Sequence, residues 1–184
     1  ADSTLKLISK KEMLLDHKGR PYVEVILDGE ERVLEKNVFS YDESGNLTSE
    51  TDALNRTTSY VYDVLNRKTQ TTFENNTTIG TTLDALSRRT AATDQAGVVT
   101  NYAYDSLGRL TSVTDVENNI TSFTYDEAGN KLTQTDAEGR TTAWTYDASG
   151  RVLTRTLPLG QEESFVYDAV GNMISRTDFN GDIT

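Results

Sequence analysis

The sequence predicts an all-β fold, a repeat of antiparallel β-hairpins with a 21-residue unit that forms a long curled or spiralling sheet. Three observations predict it. Tyr-Asp, or a variant, recurs at Tyr41-Asp42, Tyr62-Asp63, Leu83-Asp84, Tyr104-Asp105, Tyr125-Asp126, Tyr146-Asp147 and Tyr167-Asp168, each step being 21 residues with no insertion. Nine residues after each of these Asp stands a Thr, at Thr51, Thr72, Thr93, Thr114, Thr135, Thr156 and Thr177. The third observation is a thin apolar supply: 35% of residues are hydrophobic with tyrosine included. An ordinary globular domain has about 45–50% on a scale that counts Gly but not Tyr, and adding the 12 Gly here reaches only about 41%. Fifteen aromatics nevertheless argue for a folded chain.

Each unit holds two Asp-x-x-Gly-like turns. The fourth position of the first turn reads Gly45, Asn66, Ser87, Gly108, Gly129, Gly150 and Gly171. In the second turn it reads Asn55, Asn76, Gly97, Asn118, Gly139, Gly160 and Gly181. Gly and Asn tolerate positive φ, and Asp at the first position accepts hydrogen bonds from its own downstream backbone. The candidate structural residues are therefore Asp42 with Gly45, Asp63 with Asn66, Asp105 with Gly108, Asp126 with Gly129, Asp147 with Gly150 and Asp168 with Gly171. The turns are spaced ten and eleven residues apart, which leaves strands of about six or seven.

The segments between turns suit strands. One strand of each unit carries aromatics two apart, as in Tyr102/Tyr104, Phe123/Tyr125, Trp144/Tyr146 and Phe165/Tyr167. That spacing puts both rings on one face. The other strand is Thr-rich, and no helical period is present. Seven hairpins make about fourteen strands, a strip of roughly 65–70 Å at about 4.8 Å per strand. A strip that long is expected to curl, because open twisted sheets rarely exceed about ten strands. Equal units are expected to set Tyr beside Tyr and Thr beside Thr along it.

Residues 38–184 hold about seven such units, and residues 1–37 read as degenerate leading hairpins. Leu15-Asp-His-Lys-Gly-Arg20 mimics a first turn, but Asp16 lies 26 residues before Asp42. Tyr22–Leu27, Asp28-Gly29 and Arg32–Leu34 read as a further hairpin. Within the repeats, Phe73 and Leu157 replace Asp, Ser87 replaces Gly, and Thr81 and Leu83 stand where aromatics belong.

Composition excludes several classes. Eighteen Lys and Arg against twenty-nine Asp and Glu give a net charge of −11, opposite to what a duplex nucleic-acid binder needs. With no Cys, disulfide scaffolds and Cys-based zinc sites are excluded. No apolar run is long enough to span a bilayer as a helix. The opening Ala-Asp-Ser-Thr-Leu-Lys-Leu has no basic region followed by an apolar stretch, so no signal peptide is expected there.

The motif Tyr104-Asp-Ser-Leu-Gly-Arg-Leu-Thr-Ser-Val-Thr-Asp115 closely resembles the pattern of the RHS, or YD, repeat family. So do Tyr125-Asp-Glu-Ala-Gly-Asn130 and Thr135-Asp-Ala-Glu-Gly-Arg-Thr141. The resemblance covers about residues 38–184. It implies a strip of hairpins that spirals into a hollow shell, as in bacterial polymorphic toxins, ABC toxin complexes and the teneurin barrels. It implies a structural segment that encapsulates or scaffolds a C-terminal toxin or other cargo polypeptide, with neighbouring repeats and that cargo as partners. It also implies a secreted or cell-surface setting, a bacterial exported effector above all. The family's C-terminal Asp-Pro-x-Gly-Leu core motif does not occur in this sequence, so neither cleavage nor toxicity is carried over.

No enzyme, cofactor or metal is expected. His17 is the only histidine and sits in a turn. The repeated Asp offer one environment many times over, whereas paired catalytic carboxylates need two different ones. Neither calcium-binding loop pattern occurs. The Arg after the turns (Arg67, Arg88, Arg109 and Arg151) are expected to pair with acids of neighbouring hairpins. Tyr102, Phe123, Trp144 and Phe165 are expected to pack on one another. The alternative use of these four rings is a strip that stacks cell-surface glycans or a receptor. Unpaired strand edges favour edge-to-edge self-association. Asn-x-Thr sequons at Asn46, Asn55, Asn75, Asn76 and Asn119 matter only in a eukaryotic secretory route.

Overall fold

A computed structural model describes residues 10–184; the opening heptapeptide and its expected lack of a signal sequence lie outside the described residues. Sixteen strands follow one another in chain order as neighbours of one open antiparallel sheet, and no helix occurs among the described residues. They are β1 (Lys10–Leu15), β2 (Pro21–Leu27), β3 (Val33–Tyr41), β4 (Leu47–Thr51), β5 (Thr57–Tyr62), β6 (Lys68–Thr72), β7 (Thr78–Leu83) and β8 (Arg89–Thr93). There follow β9 (Val99–Tyr104), β10 (Leu110–Thr114), β11 (Ile120–Tyr125), β12 (Lys131–Thr135), β13 (Thr141–Tyr146), β14 (Val152–Thr156), β15 (Glu162–Tyr167) and β16 (Met173–Thr177). The chain divides into two compact units, one reaching to Leu83 and including Ala92–Val98, the other Asp84–Ala91 with Val99–Thr184.

One turn serves at all sixteen reversals. The N–H of its first residue donates to the carbonyl of the fifth, and the N–H of the fourth donates back to the carbonyl of the first, as in Asp126 N to Asn130 O (3.0 Å) and Gly129 N to Asp126 O (3.2 Å). The fourth residue has positive φ every time, and those sixteen positions are the only ones with positive φ among the described residues. Six of them are not glycine: Glu31, Asn55, Asn66, Asn76, Ser87 and Asn118, at φ 59 to 64°. The arrangement is a type I turn followed by a left-handed residue.

The leading region follows the same rule with longer strands. Asp28 opens a turn whose left-handed residue is Glu31, so Gly29 is an ordinary turn residue and not the pivot. β2 has seven residues where β4 has five, and β3 has nine where β5 has six. Two extra plus three extra account for the 26-residue step from Asp16 to Asp42 in place of 21.

In the leading region β1–β2 and β2–β3 both carry a bulge, whereas among the repeats pairing alternates between two kinds of hairpin. Those closed by the second turn of the unit pair in simple register, for example Thr133↔Ala143 and Thr135↔Thr141. Those closed by the first turn carry a bulge: Tyr125 pairs with Lys131 and Thr124 with Thr133, leaving Leu132 as the extra residue. The same shift occurs in β3–β4, β5–β6, β9–β10, β13–β14 and β15–β16. The extra residue changes which face the rest of the strand presents. Gln134, not Thr133, therefore shares the face of Phe123.

The sheet has one aromatic face and one small-residue face. The small face runs Ala103↔Ser112↔Ser122 and Thr124↔Thr133↔Ala143. Hydroxyl pairs such as Thr124–Thr133 (2.6 Å) and Thr135–Thr141 (2.8 Å) tie its strands together. No second layer covers either face within a unit: among the described residues only Leu27, Thr71 and Glu163 are buried. The hydrophobic effect therefore contributes less here than in a layered core, and repeated polar bonds take a larger share.

Candidate functional site: the turn clasps and the aromatic face

The candidate residues of the first turn build a two-part clasp. In the turn itself, the Asp carboxylate accepts from backbone and side chain at once. Asp105 Oδ1 accepts the N–H of Leu107 and of Arg109, both at 2.9 Å, and Oδ2 accepts Arg109 Nε at 2.6 Å. Asp63, Asp84 and Asp147 do the same with Arg67, Arg88 and Arg151. Asp42, Asp126 and Asp168 hold Asn46, Asn130 and Asn172 instead. Each Arg thus pairs with the Asp of its own turn, a correction to the expected pairing with neighbouring hairpins. The reason is geometric: the fourth residue's left-handed backbone swings the fifth residue's side chain back over the first.

These bonds hold the carboxyls below their ordinary value of 3.8. For Asp105 the Arg109 N–H is the largest cause; for Asp63 and Asp126 it is the side-chain bond from Arg67 or Asn130. Asp16 is lowered to about 2, chiefly by the Arg20 N–H.

The second part of the clasp reaches the next repeat. Arg109 Nη1 donates to the carbonyl of Asp126 at 2.6 Å, and its guanidinium lies 5.0 Å from the Tyr125 ring centroid. Arg88 treats Asp105 and Tyr104 alike, as Arg151 does Asp168 and Tyr167. The tyrosine hydroxyl completes the link. Tyr125 donates to the Leu110 carbonyl, Tyr146 to Lys131, Tyr104 to Arg89 and Tyr62 to Leu47, all at 2.8–2.9 Å. Each of these carbonyls belongs to the first residue of an even-numbered strand, and those of Leu47, Leu110 and Lys131 lie beside the bulge, where the ladder to the following strand has ended. The Tyr-Asp landmark therefore has two physical duties: Asp closes its own turn, and Tyr bonds the hairpin before it.

Tyr102, Phe123, Trp144 and Phe165 lie on the aromatic face and are half-buried. They do not stack ring beside ring. Gln134 lies across from Phe123 and Arg155 across from Trp144, because an even-numbered strand separates successive aromatics. Val113 lies across from Tyr102, and a cation occupies the space between Phe123 and Trp144. Lys131 Nζ is 4.1 Å from the Trp144 ring centroid and 5.9 Å from that of Phe123. Tyr60 has its pKa pushed up to about 12, first by burial and then by its bond to Glu50.

One polar group breaks the repeat. Glu163, 4% exposed, receives Arg155 Nη1 at 3.2 Å and Arg176 Nη2 at 2.8 Å. Nothing in the periodic landmarks points to it; its only signal is an acid replacing the Thr found at Thr121 and Thr142. In the first unit an open groove of about 560 Å³ is lined by Phe39, Glu50, Asp52, Arg56 and Phe73 among others. His17 is exposed in its turn. No group of three metal-ligating side chains occurs among the described residues.

A family model described as RHS Repeat matches residues 41–78, 84–120, 104–141, 125–162 and 146–183. No curated protein sequence matches the chain. Among solved structures, the chain is similar to the Photorhabdus luminescens Tc holotoxin pore, with 14% identity and TM-score 0.61 over 93% of this chain and 11% of that one. It is similar to TcdB2-TccC3, with 14% identity and TM-score 0.60 over 94% of this chain and 12% of that one. A third likeness, to TcdB2-TccC3-TEV, has 18% identity and TM-score 0.54 over 94% of this chain and 11% of that one. The chain thus spans about a tenth of the length of these neighbours, and the likeness is one of fold.

Proposed function

The chain belongs to the RHS-repeat family, and from that premise we propose that it is a non-catalytic wall segment of a β-shell that encloses or scaffolds a cargo polypeptide. The observation that carries this reading is the clasp between successive repeats. A one-layer sheet without a covering core is a poor scaffold for a catalytic cleft but a suitable wall, provided each hairpin is fixed to the next. Here Arg109, Tyr125 and the Asp126 carbonyl supply that fixation, and the same triple recurs with Arg88, Tyr104 and Asp105. In this reading residues 38–184 are the repeats proper and residues 1–37 the lead-in. The structural residues are Asp42 through Gly171 at the first-turn positions. Neighbouring repeats and the enclosed cargo are the partners, and the setting is that of an exported bacterial toxin component. The neighbours' names, Tc toxin components, support that setting. Glycan stacking on the four rings is disfavoured, since Lys131 lies over two of them.

The test is protease protection in the product of the full reading frame. A polypeptide fused at its C-terminal end is expected to resist digestion in the native protein and to become cleavable when Arg109→Ala and Tyr125→Phe are combined. Equal digestion in both proteins overturns the proposal.

A further inference from the structure

The charges on the aromatic face point to a ligand that goes beyond the wall role. Within β11–β16 the register places Lys131, Arg155, Glu163 and Arg176 on that face, and these are its only charged residues between the turns. Three cations face one acid, in a chain whose net charge is −11. Glu163 is shared by both arginines, and the turn carboxylate of Asp178 lies within electrostatic reach of Arg176. Lys131 has no carboxylate within salt-bridge distance among the described residues; its Nζ sits over Trp144 and accompanies Gln134 Oε1 at 3.2 Å. The guanidinium side chains remain 40% and 44% exposed. The protein has thus gathered cations and rings on one face of an otherwise acidic molecule.

We propose that this face docks an acidic polypeptide in extended, polyproline-like conformation, laid across β12, β14 and β16. The choice of ligand follows from charge and spacing. Lys131, Arg155 and Arg176 stand on alternate strands, at least two strand spacings or roughly 9.6 Å apart, with Lys131 first in β12 and the arginines fourth in β14 and β16. A polyproline helix rises about 9.3 Å in three residues and returns to the same face. Acids at every third position would come within reach of these long cationic side chains, which lie over Trp144 and Phe165. A free ring face is what a sugar needs, and Lys131 covers that of Trp144, so a carboxylate is favoured over a pyranose.

The test uses the 184-residue chain and fluorescein-labelled peptides of five Glu-Pro-Pro repeats, read by anisotropy and by Trp144 fluorescence. Binding is expected to be about tenfold tighter than for five Gln-Pro-Pro repeats, to weaken with salt and to change the Trp144 signal. Five Lys-Pro-Pro repeats should not bind. Lys131→Gln, and separately Arg155→Gln, should weaken binding by about fivefold or more with the circular dichroism of the sheet unchanged. Equal affinity for the Gln peptide, a silent Trp144, or full binding by Lys131→Gln overturns the proposal. So does tighter binding of a heparin-derived hexasaccharide, which would assign the face to an anionic glycan. None of these outcomes bears on protease protection, so this proposal and the wall reading fail separately.

Discussion

At the scale of single residues, the fourth position of each turn decides whether the chain can reverse. Its backbone sits in the left-handed region, which costs an ordinary L-residue roughly 1–2 kcal/mol. Gly129 is the clearest case: φ is +93° and an added Cβ would meet nothing within 4 Å, so the cost of a side chain there is conformational and not steric. Gly129→Ala is expected to lower stability by about 1 kcal/mol in urea unfolding, and Gly129→Asn by distinctly less. Asn already occupies the equivalent place at Asn118. Equal losses for the two variants would show that φ is not what selects this residue. Such positions are legible in a sequence because the constraint is local, and Asp-x-x-Gly states both halves of it. Ser87 and Glu31 show the limit of that legibility. They adopt the same backbone because the rest of the turn, Asp84 with Arg88 and Asp28 with Arg32, holds them there.

At the scale of the hairpin, the bulge and the tyrosine belong together. The bulge ends the ladder early at one margin of the sheet and frees a carbonyl, and the hydroxyl of the next hairpin's tyrosine accepts the task of satisfying it. Tyr146→Phe keeps the ring and removes only the bond to the Lys131 carbonyl. It is expected to cost about 0.5–1.5 kcal/mol in equilibrium unfolding, with native spectra retained. Retained stability would mean that water replaces the hydroxyl without loss. The sequence shows that Tyr and Asp recur, yet it does not show this division of labour. Strand pairing sets which carbonyl is freed, and pairing is a long-range property that no window of residues encodes. The ring-beside-ring ladder expected from equal units fails for the same reason: the bulged strand lies between the rings.

Over the whole molecule, the turn carboxylates act as one titrating set. Thirteen Asp, from Asp16 to Asp178, have pKa values lowered by the N–H and side-chain donors of their own turns. In the unfolded chain these groups bind protons near their ordinary value of 3.8, and in the folded chain only at lower pH, about 2 for Asp16. Between those limits the unfolded state holds more protons, so acid favours it. Stability is expected to be level near neutrality and to fall steeply below about pH 4, as read from urea midpoints at a series of pH values. A steep loss already between pH 6 and 5 would contradict this origin, because no lowered carboxyl titrates there. The fold class and the phase of the repeat could be read from the chain because they are local and periodic. Glu163 could not, since its burial depends on two arginines supplied by flanking strands.

The register shift in alternate hairpins also has a genetic corollary. Duplication or loss of one 21-residue block returns every side chain to its own side of the sheet, whereas a block of ten or eleven would exchange first-turn and second-turn margins and leave tyrosines opposite carbonyls already bonded. Any change in the length of such a strip is therefore expected in whole pairs of hairpins, never in single ones.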